Sequence, residues 1–244
     1  MSQPVVEAIN VVKSLGDGAR KVRALKGVSF RLEAGELVLL MGPSGSGKTT
    51  LLSVLGCILS PNEGSVRVCD QSTVGLRPEA LAKLRRAHIG FIFQTYHLFP
   101  TLSAVDNVRL ALEVGGERPH RAVGKAMDSL AMVGLAHKVN AYPLELSSGE
   151  QQRVAIARAV VGDAAAILAD EPTAALDSEN GHSIMSVLAG VAKGPGRGVL
   201  VVTHDARTLP FAKRIVRIDD GRIVSEEQGV PASPTEQTRS LPTA

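Results

Sequence analysis

Gly42-Pro43-Ser44-Gly45-Ser46-Gly47-Lys48-Thr49 spells G-x-x-x-x-G-K-T, between an apolar run ending at Met41 and a stretch from Thr49 to about Leu59 with helical apolar spacing. Few folds accommodate that order. The loop works only where a buried strand delivers it to the carboxyl edge of a sheet and the following helix turns its N-terminus toward a ligand. The glycines let consecutive N–H groups turn inward around a β-phosphate, and Lys48 neutralises the β- and γ-phosphate charge. The Thr49 hydroxyl, with Thr50 behind it, is placed to ligate Mg²⁺.

The rest of the chain agrees with an α/β fold. Val5 to Val12 and Ala24 to Glu33 alternate in the strand manner around a turn-prone GDGARK and read as a small antiparallel lobe, feeding a strand at Glu36 to Met41. Ser65 to Cys69 and Ile89 to Gln94 are further strands, and Pro78 to Arg86 reads as a helix. Ala104 to Ala159 reads as mostly helix, broken near Gly115, Gly134 and Pro143. The runs Ala165 to Asp170 and Gly198 to Thr203 are apolar throughout, as parallel strands buried on both faces should be. Helix patterns at Ser178 to Ala192 and near Thr208 to Lys213 follow, then a hairpin, Arg214 to Val224. From Gln228 to Ala244 the chain is rich in Pro, Ser and Thr, and a disordered tail is expected over residues 228–244. No internal repeat is visible.

The AAAILADEP strand ends in Asp170 and Glu171, an acidic pair at the sheet edge where open α/β sheets bind ligands. Asp170 suits Mg²⁺ and Glu171 suits orienting and deprotonating water. LSSGEQQRVAIARA begins small and polar and continues as an amphipathic helix, so Ser147, Ser148 and Gly149 stand at a helix N-terminus, a second anion site. One nucleotide needs one such cradle. Two in one chain suggest that each nucleotide is held by both, the second supplied by another molecule. His204 closes the strand that follows the acidic pair.

GPSGSGKTT, Gln94 after IGFIF, LSSGEQQRVAIARA, ILADEPTAALD and VVTHD together resemble the nucleotide-binding subunits of ABC transporters, in order and spacing, across about residues 5–225. The resemblance implies a P-loop NTPase parallel-sheet core with an N-terminal antiparallel β lobe and a helical signature lobe at about residues 95–160, all within an ATP-binding domain spanning residues 1–227. It also implies a head-to-tail dimer of two copies, with ATP between the phosphate loop of one and the signature, Ser147 to Gln151 and so including Glu150, of the other. Gln94 would touch Mg²⁺ and water, Asp177 would couple the two sites, and His204 would contact the γ-phosphate. Lys48, Gln94, Glu171 and His204 are thus the expected catalytic residues, and Thr49, Gln94 and Asp170 the expected metal ligands.

The sequence departs from the family twice. Leu15 stands where an aromatic residue commonly stacks on adenine, so base selectivity should be weakened. Ser148 stands where glycine is usual and is expected to be harmless at a helix N-terminus. Residues 85–108 and LGCILSPNEGSVRV are similar to the subfamily of macrolide-efflux and lipoprotein-release ATPases. Its partner is an integral membrane permease with a large extracytoplasmic domain; the apolar loop Gln94 to Thr101, with Tyr96, Leu98, Phe99 and Pro100, is expected either as its dock or as packing onto the helical lobe. That similarity points to export, or extraction from the membrane, at the cytoplasmic face of the inner membrane.

Composition bears on the alternatives. The longest apolar runs are strand-sized, so no membrane span is expected, and the N-terminus lacks a signal-peptide pattern. A net charge of +3 with dispersed Lys and Arg, and 3% aromatics, argues against nucleic acid. Cys57 and Cys69 lack metal-ligand spacing and read as small core residues. A DNA-repair or ribosome-associated ATPase would add a long coiled coil or a second ATPase domain, yet only about fifty residues separate Gln94 from the signature. A non-hydrolysing scaffold conflicts with Lys48, Asp170, Glu171 and His204, and a P-loop kinase would need an acceptor lid that is not apparent.

Overall fold

The structure, a computed structural model, describes residues 4–229. In chain order the elements are β1 (Pro4–Leu15), β2 (Val22–Glu33), β3 (Leu37–Met41), α1 (Lys48–Leu55), β4 (Glu63–Val68), β5 (Gln71–Ser72), α2 (Pro78–His88) and β6 (Ile89–Ile92). They continue with α3 (Ala104–Val114), α4 (Pro119–Met132), α5 (Ser148–Val160), β7 (Ala166–Asp170), α6 (Ser178–Ala192), β8 (Gly198–Val202), β9 (Arg214–Asp219) and β10 (Arg222–Gln228). Short 3-10 turns fill several connections.

Two sheets form. The first is antiparallel, ordered β2-β1-β4-β5, and the second is ordered β10-β9-β3-β8-β7-β6 with only β10 antiparallel to its neighbour. The inner strands β3 and β8 are buried at every residue because side chains alternate faces and both faces are covered. Leu37, Leu39 and Met41 of β3 join Val199 and Val201 of β8 in one core with α3 to α6. Val38 and Leu40 join Leu200 and Val202 in a second core with α1 and the antiparallel sheet. A one-residue slip of β3 would exchange these two sets.

Several boundaries differ from expectation for physical reasons. The strand expected from Glu36 begins at Leu37, because the Glu36 carboxylate turns to the guanidinium of Arg214, with Oε1 and Oε2 at 2.6 and 3.1 Å. The helix expected to reach Leu59 ends at Leu55, where Gly56 caps it and Cys57 takes a positive φ of 55°. Near Thr208 there is only a 3-10 turn, Ala206–Phe211, with Pro210 inside it, since proline denies an α-helix a donor. The final hairpin runs past Val224 to Gln228, which pairs with Arg214, so the expected tail starts no earlier than Gly229. From residue 230 that tail lies outside the described residues. Cys57 is buried, which pushes its thiol up to about 11, and both cysteines are free. No helix among the described residues is long and apolar enough to cross a membrane.

Candidate functional site

The loop after β3 is shaped by close backbone approach. A Cβ on Gly42 would lie 2.0 Å from the carbonyl oxygen of Ile218. Gly47 caps α1 with φ 104°, and a Cβ there would meet the Ala24 carbonyl at 2.6 Å, so the loop is wedged between β9 and β2. The Gly221 N–H donates to the Ser46 carbonyl at 2.9 Å, fixing the wedge from the β9–β10 turn. The first turn of α1 has no acidic residue and no side-chain cap, so its N-terminal N–H groups are left for an anion. Lys48 Nζ donates to the carbonyls of Gly42 and Pro43, both at 2.7 Å, which curls it over the loop. Ser46 Oγ is buried and has no partner among the described residues.

Opposite the loop lie the ends of β7 and β8. Asp170 Oδ1 is within 3.5 Å of Thr49 Oγ1, and burial pushes the Asp170 carboxyl above the usual aspartate range, opposed by the Thr49 hydrogen bond. The two oxygens are hard donors of the kind Mg²⁺ takes. Glu171 has φ 47°, a left-handed conformation that costs about 1–3 kcal/mol for such a residue, and its N–H donates to the Val202 carbonyl at 2.9 Å. Its Oε1 is 2.7 Å from His204 Nδ1. The imidazole is largely exposed while the Glu171 carboxylate is not, so the pair presents the ring to the cleft and keeps the carboxylate beneath it.

A cleft of about 760 Å³ joins these groups. It is lined by Leu15, Gly42, Pro43, Ser44, Gly45, Gly47, Lys48, Thr49, Thr50, Gln94, Asp170, Glu171 and His204, and also by Val22, Ala24 and Val202. Ser46 lies below the lining. The last three lining residues escaped the sequence reading. Val22 has a signal in hindsight, since it is the cross-strand partner of Leu15 over the GDGAR turn. The cleft fits a nucleotide and its metal: a glycine cradle closed to side chains, an orphaned hydroxyl, one cation, and paired oxygen ligands beside a carboxylate.

Ser147, Ser148, Gly149, Glu150 and Asp177 do not line this cleft. They gather at a second place. Ser147 caps α5 in a reciprocal box, its Oγ accepting from Glu150 N at 3.3 Å while Glu150 Oε2 accepts from Ser147 N at 2.8 Å. Ser148 opens α5 and is absent from the positive-φ residues, so its side chain carries no backbone strain. Asp177 caps α6, accepting from the N–H of Asn180 at 2.9 Å and from its Nδ2 at 2.7 Å, which holds the Asp177 carboxyl below its usual range. The two caps touch, because a Cβ on Gly149 would meet Asn180 Oδ1 at 2.9 Å. Arg207 ties this place to the cleft: it donates to both oxygens of Asp205, next to His204, and to Ser178 Oγ at 2.5 Å. No sequence pattern singled out Asn180 or Arg207.

The loop expected as a dock splits in two. Leu98 packs against the helical core, while Phe99 is half exposed and lines an apolar groove of about 490 Å³ with Ile58, Phe93, Leu110 and Arg86. The loop is held by the buried Asn107, bonded to both the N–H and the carbonyl of Phe99, and by Arg158, which donates to the carbonyls of Tyr96 and His97. Phe93 stacks between Phe91 and His97.

The profile of a family described as ABC transporter matches residues 25–174. The chain is 42% identical over 235 residues to the macrolide export ATP-binding/permease protein MacB 1 of Aeromonas hydrophila, covering 96% of this chain and 36% of that protein. It is 43% identical over 226 residues to MacB of Burkholderia thailandensis, covering 93% of this chain and 34% of that one. The chain thus spans about a third of the length of these curated relatives. A dimeric post-hydrolysis structure of the ATP-binding cassette MJ0796, bound to ADP and Pi, superposes with a TM-score of 0.84 at 41% identity, covering 91% of this chain and 98% of that one.

Proposed function

The chain belongs to the ABC transporter family, and on that premise we propose that it binds and hydrolyses ATP to power a separate membrane permease. The work done is export, or extraction of a substrate from the inner membrane. The observation that carries this reading is the division of the machinery: one cleft gathers Lys48, Thr49, Asp170, Glu171 and His204, while the α5 N-terminus and Asp177 stand outside it. A half-site of this form is completed by a second copy in head-to-tail arrangement. The cassette MJ0796 is described as dimeric with ADP and Pi, which supports the arrangement.

The residues divide the chemistry as follows. The loop N–H groups and Lys48 bind the phosphates and neutralise their charge. Thr49, Asp170 and Gln94 would hold Mg²⁺, which when bound neutralises charge developing on the β- and γ-phosphate oxygens. Glu171 orients the attacking water and takes its proton. His204 Nδ1–H, donating to Glu171 Oε1, orients that carboxylate and leaves Nε2 for a γ-phosphate oxygen. The α5 N-terminus of the second copy, with Ser147 to Glu150, caps the same phosphate from outside. Asp177 links the two sites.

The permease docks in the Phe99 groove, at the cytoplasmic face of the membrane, where the chain is peripheral. The curated relatives are named for macrolide export, which favours an export permease with a large extracytoplasmic domain as partner. Two measurements test this. Steady phosphate release from the wild type should vanish in Glu171→Gln, and release that persists would refute the catalytic assignment. Phe99→Asp should free the permease from a detergent-solubilised complex without unfolding the chain, and retained coupling would refute the dock.

A further inference from the structure

Among the large apolar side chains left exposed, Leu144 stands apart at 92% exposure. It is not on a loose loop. It sits at the middle of the 3-10 turn Pro143–Glu145, pinned by Tyr142 N to Glu145 Oε2 at 2.7 Å and Glu145 N to Tyr142 O at 2.9 Å, with Pro143 and Leu146 buried on either side. A leucine pinned in this way beside the buried Pro143 and two positions before the buried Leu146 buries almost none of its own apolar surface in the single chain. Leu144 is three residues before Ser147, so at most about 10 Å of chain separates it from the α5 N-terminus.

The mouth of the cleft offers a matching feature. Leu15 and Val22 are register partners, 39% and 65% exposed, and both line the cleft. Neither can stack as an aromatic ring would, and with Ala24 they line the cleft with aliphatic side chains that offer no donor or acceptor for the edges of a base. A base resting there has its other face in water.

We infer that Leu144 of one copy closes over the base bound at Leu15 and Val22 of the other, so that the nucleobase is held between aliphatic surfaces from two chains. This rests on the two-copy reading above. When the α5 N-terminus of the second copy caps the terminal phosphate, Leu144 lies within about 10 Å of that cap, near enough to meet another part of the same nucleotide. Recognition is by apolar contact and not by hydrogen-bond readout, so both purines are accepted and base affinity depends on the second copy.

The test uses Glu171→Gln/Cys69→Ser chains carrying Val22→Cys or Leu144→Cys, mixed and treated with a short bis-maleimide, with light scattering in parallel. With Mg·ATP the expected product is a cross-linked pair of twice 25.6 kDa, absent without nucleotide and absent when Met127→Cys replaces Leu144→Cys. Dimers seen by light scattering without that cross-link would overturn the inference and leave the two-copy reading standing. Failure to dimerise at all would overturn both. In parallel, Leu144→Ser should raise the ATP concentration for half-maximal dimerisation about tenfold, with the nucleotide-free melting curve unchanged. An unchanged ATP requirement would count against the contact.

Discussion

Gly149→Ala should abolish the proposed ATP hydrolysis while leaving the fold intact, and the structure lets both halves be estimated. A methyl there would approach Asn180 Oδ1 to 2.9 Å and Cγ to 3.1 Å, close enough that the Asn180 amide must move. That amide donates to Asp177 Oδ2 at 2.7 Å, so moving it costs one exposed hydrogen bond, about 0.5–1.5 kcal/mol. Replacing glycine by alanine in a helix returns up to about 1 kcal/mol. The two nearly cancel, and a residual of about 1 kcal/mol shifts the melting temperature of a chain this size by only about 2–4 °C. Function does not share the cancellation. Gly149 is in the turn proposed to cap the phosphate in the second copy, beside Asp177, and a misplacement approaching 1 Å costs about a hundredfold in rate. The assay is steady phosphate release alongside thermal unfolding. Wild-type turnover, or a melting temperature lowered by more than about 10 °C, would refute the argument.

Three further outcomes follow. Arg214, almost buried, donates to Glu36, Glu226 and the Arg31 carbonyl, so Arg214→Met should destabilise by about 3–5 kcal/mol. Arg214→Met/Glu36→Met should recover much of that loss in chemical denaturation, and simple additivity would contradict it. Hydrogen bonds from Arg207 hold the Asp205 carboxyl below its usual value, so its contribution is present above the unfolded pKa and disappears as pH falls through the folded one. The stability gap between wild type and Asp205→Asn should therefore be full at neutral pH and close below about pH 4; a gap constant to pH 2 would be wrong for this account. Leu15→Tyr should raise the preference for ATP over GTP analogues, and equal affinity ratios in both proteins would sink the aliphatic-face argument.

What was legible in the sequence was whatever depends on short chemistry at fixed spacing. The glycine loop, the acidic pair after β7 and His204 after β8 all fall at strand ends because alternation and apolar runs place β3, β7 and β8 unambiguously. Less legible were features made by backbone or long-range partners. Glu36 reads as strand until Arg214, far along the chain, is brought beside it. The early end of α1 depends on Cys57 accepting a left-handed conformation, which no local preference announces. Val22, Asn180 and Arg207 enter the site region through register and capping geometry, so their residue types alone carry no flag. The Phe99 loop was ambiguous between core and interface because it is both: Leu98 packs inward and Phe99 outward.

The central claim is that one chain holds half of each catalytic site. Glu171→Gln should be weighed by light scattering with and without saturating Mg·ATP. The expected mass is near 25.6 kDa without nucleotide and twice that with it. A single-chain mass at saturating Mg·ATP, with nucleotide demonstrably bound, would contradict it.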